Sequence, residues 1–306
     1  MSTPFDAQVI AAFGRHVIVR DTAGREHKAR PFGRKLVLVC GDKVRCEADG
    51  EEVHVVELLP RDSALYRSNL RGGAEAIVAN LTHVIVVLAP RPSAEFFVVD
   101  RYVCAATSAA IAATLVVNKS DLGVDAGLRA ELDAYAAAGY QWIECSAHAD
   151  VGMERLREIC SQSVSVLVGQ SGVGKSSLAR RLIPEAEIAV GELDREHEGR
   201  HTTTASRLFD LPRGGALIDS PGVRDFAPAI DRLEASSLGF IEVARLAPDC
   251  RFQDCKHIRE PGCAVLKAAE SGRLHPRRYE SYRRLRRLFE ELTEARGPVR
   301  NTHNRR

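Results

Sequence analysis

The sequence predicts a multidomain protein: an N-terminal OB-type β-barrel, a central α/β domain and a C-terminal helical module. Three observations carry this expectation. Short strands and turns crowd residues 5–60, strand–helix alternation begins near residue 83, and three cysteines and a histidine cluster between 250 and 263. The expected bounds are 1–70, 71–230 and 231–306. Hydrophobic residues make up 45% of the 306 and charged residues 27%. Such a composition excludes a collagen, a mainly disordered chain and a disulfide-dense scaffold. No apolar run approaches ~18 residues, so no membrane span is expected. The N-terminus has no basic segment followed by an apolar one, so the expected compartment is the cytoplasm.

The barrel is read from Ala7–Phe13, His16–Val19, Lys35–Val39, Lys43–Glu47 and Val53–Leu59 as strands. Gly14, Asp21–Gly24, Gly41–Asp42 and Asp49–Gly50 punctuate them. Five such strands fit an OB barrel, with an SH3-like barrel as the alternative. Nine basic and nine acidic residues balance here, and no exposed aromatic platform is evident.

Residues 61–75 read as a polar linker. His83–Ala89 is then a continuous apolar run, as in a strand buried on both faces. A helix at about 95–110, strand Thr114–Val117, a helix near 127–138, strand Tyr140–Glu144, a helix near 152–161 and strand Val164–Val168 follow. This alternation implies βαβ units and a parallel sheet.

Strand Val164–Val168 runs into Gly169, Gln170, Ser171, Gly172, Val173, Gly174, Lys175, Ser176 and Ser177. The spacing is G-x-x-x-x-G-K-[ST] between a strand and a helix. Glycines let backbone N–H groups converge on phosphate oxygens, and the helix dipole adds to them. Lys175 would reach the β- and γ-phosphates, and Ser176 would ligate Mg²⁺.

Strand Thr114–Val117 ends in Asn118, Lys119, Ser120 and Asp121. A carboxylate here accepts from guanine N1–H and the 2-amino group together, whereas adenine would leave it unpaired. This points to GTP and GDP and argues against an ATP-dependent enzyme. Cys145-Ser146-Ala147 could back the base, with Ser146 and Ala147 as contacts. Strand Gly215–Ile218 leads to Asp219 and Gly222, for Mg²⁺ and the γ-phosphate. Within Gly199–Ala205 a threonine, with Thr203 the candidate, could complete the Mg²⁺ shell. Asn118 precedes Gly169 by 51 residues, the reverse of the usual order. A circularly permuted chain can still assemble the site if its original ends lie close together.

Cys250, Cys255, His257 and Cys263 follow a helix expected at about 231–247, with the spacing C-x4-C-x-H-x5-C. Three thiolates and one imidazole fill a tetrahedral Zn²⁺ shell and leave no open position. One structural zinc per chain is expected, with an Fe–S cluster as the alternative. Pro276–Ala295 then has helical period, with Tyr279, Tyr282, Leu285, Leu288, Phe289 and Leu292 in one stripe. Residues 271–306 hold eleven arginines and four glutamates, a net +7, which leaves −5 for residues 1–270. Arg277, Arg278, Arg283, Arg284, Arg286 and Arg287 are read as a face for phosphate backbones; a merely solvated face is the alternative.

Barrel, permuted nucleotide motifs and Cys/His spacing together resemble the RsgA (YjeQ/EngC) family of circularly permuted GTPases. Gly41-Asp42-Lys43-Val44 and Gly199–Ala205 share in the resemblance. It implies an OB fold, a G domain and a zinc domain. It also implies slow GTP hydrolysis stimulated by the small (30S) ribosomal subunit, contact with its rRNA, and a role in late maturation of that subunit. A monomer without membrane association is expected. A nucleotide-gated RNA-binding module with incidental hydrolysis is the competing reading. Val223 stands where many GTPases carry a water-orienting Gln, so slow turnover follows physically. His201 is the candidate catalytic substitute; a solvated histidine is the alternative.

Overall fold

This computed structural model describes residues 4–13, 16–33, 36–50, 52–68, 73–183, 206–220, 223 and 226–295. His201, Thr203 and Gly222 lie outside the described residues, as do Lys35 and the rest of segment 187–204.

Five strands form the barrel: β1 (Phe5–Ala12), β2 (Val17–Asp21), β3 (Glu26–Pro31), β4 (Lys43–Asp49) and β5 (Glu52–Leu58). Their order is β1-β2-β3-β5-β4, and β1 also pairs β4, which closes the barrel. The β3–β5 pair is parallel and the rest are antiparallel. This is the partly open Greek-key arrangement of an OB fold. Alternation fills it: Val9, Val17, Val19, Ala29, Val44, Cys46 and Val55 face inward.

The expected strand Lys35–Val39 needs correction. Its described part, residues 36–39, carries no ladder, although Leu36 and Leu38 pack on the barrel core. The third strand is Glu26–Pro31, of which Ala29 alone is buried. An outward-facing polar strand has no apolar period by which to read it.

Residues 61–75 are not a simple linker. Strands β6 (Ala64–Ser68) and β7 (Ala74–Ala79) pair as an antiparallel two-stranded sheet, with Leu65 and Val78 buried.

The α/β part contains β8 (His83–Leu88), α1 (Phe96–Ser108), β9 (Ala112–Val117), α2 (Ala126–Ala138) and β10 (Gln141–Glu144). It continues through α3 (Met153–Cys160), β11 (Val164–Gly169), α4 (Lys175–Leu182), β12 (Ser206–Asp210) and β13 (Ala216–Asp219). Strands β10, β9, β8, β11 and β13 run parallel in that order, and β12 pairs β13 antiparallel. The loops after β8, β9, β10, β11 and β13 therefore share one edge, where α/β ligands bind. Strand β12 also pairs β1, so barrel and α/β part share one 11-stranded sheet.

Helices α5 (Ile241–Leu246), α6 (Ala264–Glu270) and α7 (Pro276–Ala295) complete the chain. The helix expected at 231–247 is mostly absent. A 3-10 turn spans Ile230–Arg232 and the α-helix begins only at Ile241. Leu238 and Gly239 hold φ of 53° and 79°, and a Cβ on Gly239 would sit 2.3 Å from the Cys104 carbonyl oxygen. The positive φ at both positions is incompatible with continued right-handed helix, and the close approach to α1 calls for glycine at 239. One core runs from Tyr102 and Leu132 through Phe240 to Tyr282 and Leu285. No helix among the described residues is long and apolar enough to cross a membrane.

Candidate functional site

Strand β11 lies between β8 and β13 in the parallel sheet and delivers the glycine loop to its edge. Gly169, Gly172 and Gly174 have φ of 143°, 80° and 91°. A Cβ on Gly169 would lie 2.2 Å from the Val87 carbonyl oxygen, and one on Gly174 would lie 2.3 Å from Asn118 Nδ2. Both contacts are too close for any side chain, so these glycines are demanded by packing as well as by conformation. Lys175 opens α4 and is buried; its Nζ donates to the carbonyls of Gly169 at 2.8 Å and Gln170 at 2.7 Å. This ammonium and the start of α4 suit an anion in the loop. Ser176 and Ser177 occupy the first turn of α4.

The loop's other side chains divide the work. Val173 is buried in the core beneath the loop. Gln170 points away from the glycines: its Oε1 accepts from Glu95 N at 3.0 Å and its Nε2 donates to Ser93 O at 3.2 Å. The loop after β8 is thus strapped to the glycine loop, a contact that sequence reasoning missed. Its position at the carboxyl end of a parallel strand was the available signal.

The Asn118–Asp121 turn meets the glycine loop directly. Asn118 is 2% exposed; its Nδ2 donates to Val173 O at 2.9 Å and its Oδ1 accepts from Ala147 N at 3.2 Å. Lys119 adopts φ 59°, and its Nζ donates to Gly172 O at 2.6 Å and Arg91 O at 3.2 Å. The Ser146 hydroxyl donates to Asp121 Oδ1, and Ser120 N donates to Cys145 O at 3.1 Å. Asn118, Lys119, Asp121, Ser146, Ala147 and Gly174 line a cleft of about 480 Å³. His148 and Arg180 also line it, and neither was singled out from sequence.

Asp219 ends β13 at the same edge. Ser220, 3% exposed, exchanges a 2.6 Å hydroxyl contact with Ser206 at the start of β12. Val223 is fully buried in the main core.

The second cluster lies at the base of α7. Ligand atoms of Cys250, Cys255, His257 and Cys263 all lie within 4.8 Å of one another. His257 Nδ1 is 3.4 Å from Cys250 Sγ and 3.5 Å from Cys263 Sγ, and those two sulfurs are 3.9 Å apart. A tetrahedral ion bonded at about 2.3 Å to sulfur and about 2.0 Å to nitrogen has S···S edges of about 3.8 Å and S···N edges of about 3.5 Å. The four donors therefore fit a metal ion. Burial pushes the Cys255 thiol up to about 12 and raises Cys263 as well. Such thiols ionise readily only against a cation. Burial, then the Arg286 charge, lowers the His257 imidazole, which favours its neutral, ligating form. Tyr279 and Tyr282 of α7 donate to the carbonyls of His257 and Lys256, each at 2.9 Å.

The arginine face needs correction. Arg278 is fully buried between Asp100 and Glu242, and Arg277 pairs Asp100 and Glu131. Arg286 is buried and donates to the carbonyls of Ala235 and Ser236, each at 2.8 Å. Of the six arginines, Arg283, Arg284 and Arg287 are exposed. Acidic side chains on α1, α2 and α5 draw the inward arginines in, and helical period cannot foresee such partners.

Comparison with known proteins agrees with this geometry. Residues 58–228 match the family model described as RsgA GTPase. A Pseudomonas aeruginosa LESB58 protein named small ribosomal subunit biogenesis GTPase RsgA is 44% identical over 91% of this chain and 84% of its own. A Pseudomonas putida F1 protein of the same name is 43% identical over 90% of this chain and 83% of its own. Among solved structures, the circularly permuted GTPase YloQ superposes with a TM-score of 0.72 at 22% identity, covering 97% of each chain. YjeQ from Thermotoga maritima gives 0.70 at 24% identity, covering 95% of this chain and 99% of its own. These two likenesses bear on the fold: a barrel, a permuted nucleotide domain and a C-terminal Cys/His module. The chain belongs to the RsgA GTPase family and is a GTP hydrolase.

Proposed function

We propose that this GTPase binds the small (30S) ribosomal subunit through its rRNA, assists its late maturation, and hydrolyses GTP slowly until the subunit stimulates it. In this reading it acts as a cytoplasmic monomer away from membranes, with functional parts 1–70, 71–230 and 231–306. Strand β6 of the first part pairs with β7 of the second.

Guanine sits over Asn118–Asp121, with the Asp121 carboxylate accepting from N1–H and the 2-amino group and with Ser146 and Ala147 behind it. Gly169–Ser177 cradle the phosphates, where Lys175 exchanges its two carbonyls for phosphate oxygens. Ser176 and Asp219 would hold Mg²⁺, with Thr203 the candidate third group and Gly222 the candidate γ-phosphate contact. When bound, Mg²⁺ neutralises charge building on the phosphates. The buried isopropyl group of Val223 cannot orient water, which supports slow intrinsic turnover. His201 is proposed as the group that supplies this orientation. Zn²⁺ is proposed at Cys250, Cys255, His257 and Cys263, where a closed Cys₃His shell is structural.

The observation that carries this reading is the Asn118 amide bonded to the glycine loop while Ser146 bonds Asp121. It joins a guanine-selective carboxylate to a phosphate loop in one cleft. GTP turnover measured with and without purified small subunits tests it. Acceleration by the subunit supports the reading; equal rates refute it. Replacing Arg283 and Arg287 by Gln should weaken subunit binding and lower its salt slope by about 2, since each phosphate contact releases a counterion.

A further inference from the structure

Strand β12 is shared property. On one side it pairs β1 of the barrel, with Ala11 opposite Arg207 and Ala12 opposite Ser206. On the other it pairs β13, with Arg207 opposite Asp219 and Leu208 opposite Ile218. A single row of residues, Ala11, Arg207 and Asp219, thus crosses three strands from the barrel to the nucleotide edge. Neighbouring strands keep a spacing of about 4.8 Å, so a transverse shift of one is felt by the next.

Two ion pairs reinforce the seam. Arg20 of β2 reaches Asp210 of β12 at 2.6 Å, and Arg207 reaches Glu26 of β3 at 3.8 Å. Three barrel strands are therefore held to β12. One position further along, the Ser206 and Ser220 hydroxyls meet at 2.6 Å, with Ser220 buried beside Asp219. The structure shows this contact made. Among the described residues, the pairing of β1 with β12 covers two residues and that of β12 with β13 four, so the barrel side of β12 is the less extensively held.

We infer that the Ser206–Ser220 hydroxyl pair, standing on the β1–β12 seam, is a positioning pair through which docking of the barrel sets the placement of Asp219 for hydrolysis. In this reading Ser206 and Ser220 act through Asp219, the neighbour of Ser220, as positioning residues. The inference rests on the proposed stimulation by the small subunit and supplies a route for it. Physical intermediacy alone does not make a coupling, so the inference requires that barrel docking switch this contact between made and broken.

The test uses the full chain with purified small subunits. In Ser206→Ala and Ser220→Ala, the ratio of stimulated to intrinsic kcat should fall about tenfold, as expected for one buried hydrogen bond lost from the activated state. Subunit affinity should change less than about twofold. Ser220→Thr keeps a hydroxyl and should restore the ratio. Arg20→Ala, remote from the nucleotide, should lower the ratio with intrinsic turnover unchanged. Combining it with Ser206→Ala should add little, because both changes cut one route. Full stimulation in Ser206→Ala, or an equal fall in intrinsic and stimulated rates, overturns the inference. If subunits fail to accelerate the unaltered chain, the functional reading beneath it falls instead, and the inference with it.

Discussion

Arg278 and Asp100, 178 residues apart, meet at 2.6 Å with both side chains 1% exposed. The guanidinium also forks onto Glu242 at 2.7 and 2.9 Å, and stacks between the Tyr135 and Phe240 rings. Tyr135 Oη donates to the same Asp100 oxygen. The long C-terminal helix is thereby anchored to α1 of the nucleotide domain by a desolvated charge cluster. Coulomb attraction from Asp100 and Glu242 outweighs burial and holds Arg278 firmly charged.

Removing Arg278 leaves Asp100 with Arg277 and takes from Glu242 the guanidinium that forks onto it. Arg278→Met should cost about 3–5 kcal/mol, the usual penalty for one orphaned partner of a buried pair. Thermal melts check this. Arg278→Lys should recover little, because an ammonium cannot bridge Asp100 and Glu242 with a fork.

Asp121→Asn should lose GTP and gain relative affinity for xanthosine triphosphate. The amide that replaces the acceptor can donate to the 2-oxo group of xanthine. Competition binding with both nucleotides decides it; unchanged GTP affinity would remove the guanine assignment. Ser146→Ala should weaken GTP more modestly, by freeing the Asp121 carboxylate from its hydroxyl donor.

Freshly purified protein should contain one zinc per chain, releasable by strong chelators. Cys263→Ser removes a ligand and also the sulfur that caps α6 by accepting from Leu266 N at 3.3 Å. It should reduce metal content in elemental analysis and speed proteolysis of the C-terminal module. Tyr279 and Tyr282 would lose the ordered carbonyls that receive their hydroxyls, so α7 should loosen with it.

Acid should expose two carboxylates that cap loops. Partial burial raises Glu234 and Glu260, but donors outweigh it and bring each from 4.5 down to about 2. Glu234 accepts from the N–H and hydroxyl of Ser236 and of Ser237. Glu260 accepts from Lys256, Ile258 and Arg259 N–H groups. Depressed carboxyl values add stability that is complete above about 4.5 and is lost as pH falls through about 2. Glu234→Gln should therefore destabilise at neutral pH and flatten that acid limb, as followed by melting temperature between pH 2 and 7. A limb identical to that of the unaltered chain would show that the turn does not depend on the charge.

Much of the site was legible because its geometry is local. Gly169–Ser177 read as a phosphate loop since a short loop between strand and helix can curl only with glycine at the tight positions. The C-x4-C-x-H-x5-C spacing read as a metal shell because four donors close together in sequence can converge without knowledge of the fold. The parallel strands β8, β9 and β11 announced themselves as apolar runs, being buried on both faces. Strand β3 did not, because its Glu26, Lys28 and Arg30 face water and only Ala29 faces the core. Strand β12 was missed as well. It is short, and what makes it a strand is partners on either side, β13 and β1.

By itself, then, the sequence set out the candidate motifs and their order along the chain: the Asn118–Asp121 turn, the glycine loop, the strand ending in Asp219 and the Cys/His cluster, each written in contiguous residues. Only the tertiary structure decided where charge and strand edges are spent. Arg277, Arg278 and Arg286 have the same helical context as Arg283 and Arg287, yet turn inward to acids and carbonyls on distant elements. The barrel could have hung from a linker, yet it joins the nucleotide sheet through Ala11, Arg207 and Asp219. The reason is the same in both cases. A motif depends on bonds within a few residues, while burial of a charge or pairing of a strand edge depends on which distant group folding brings to within hydrogen-bond reach.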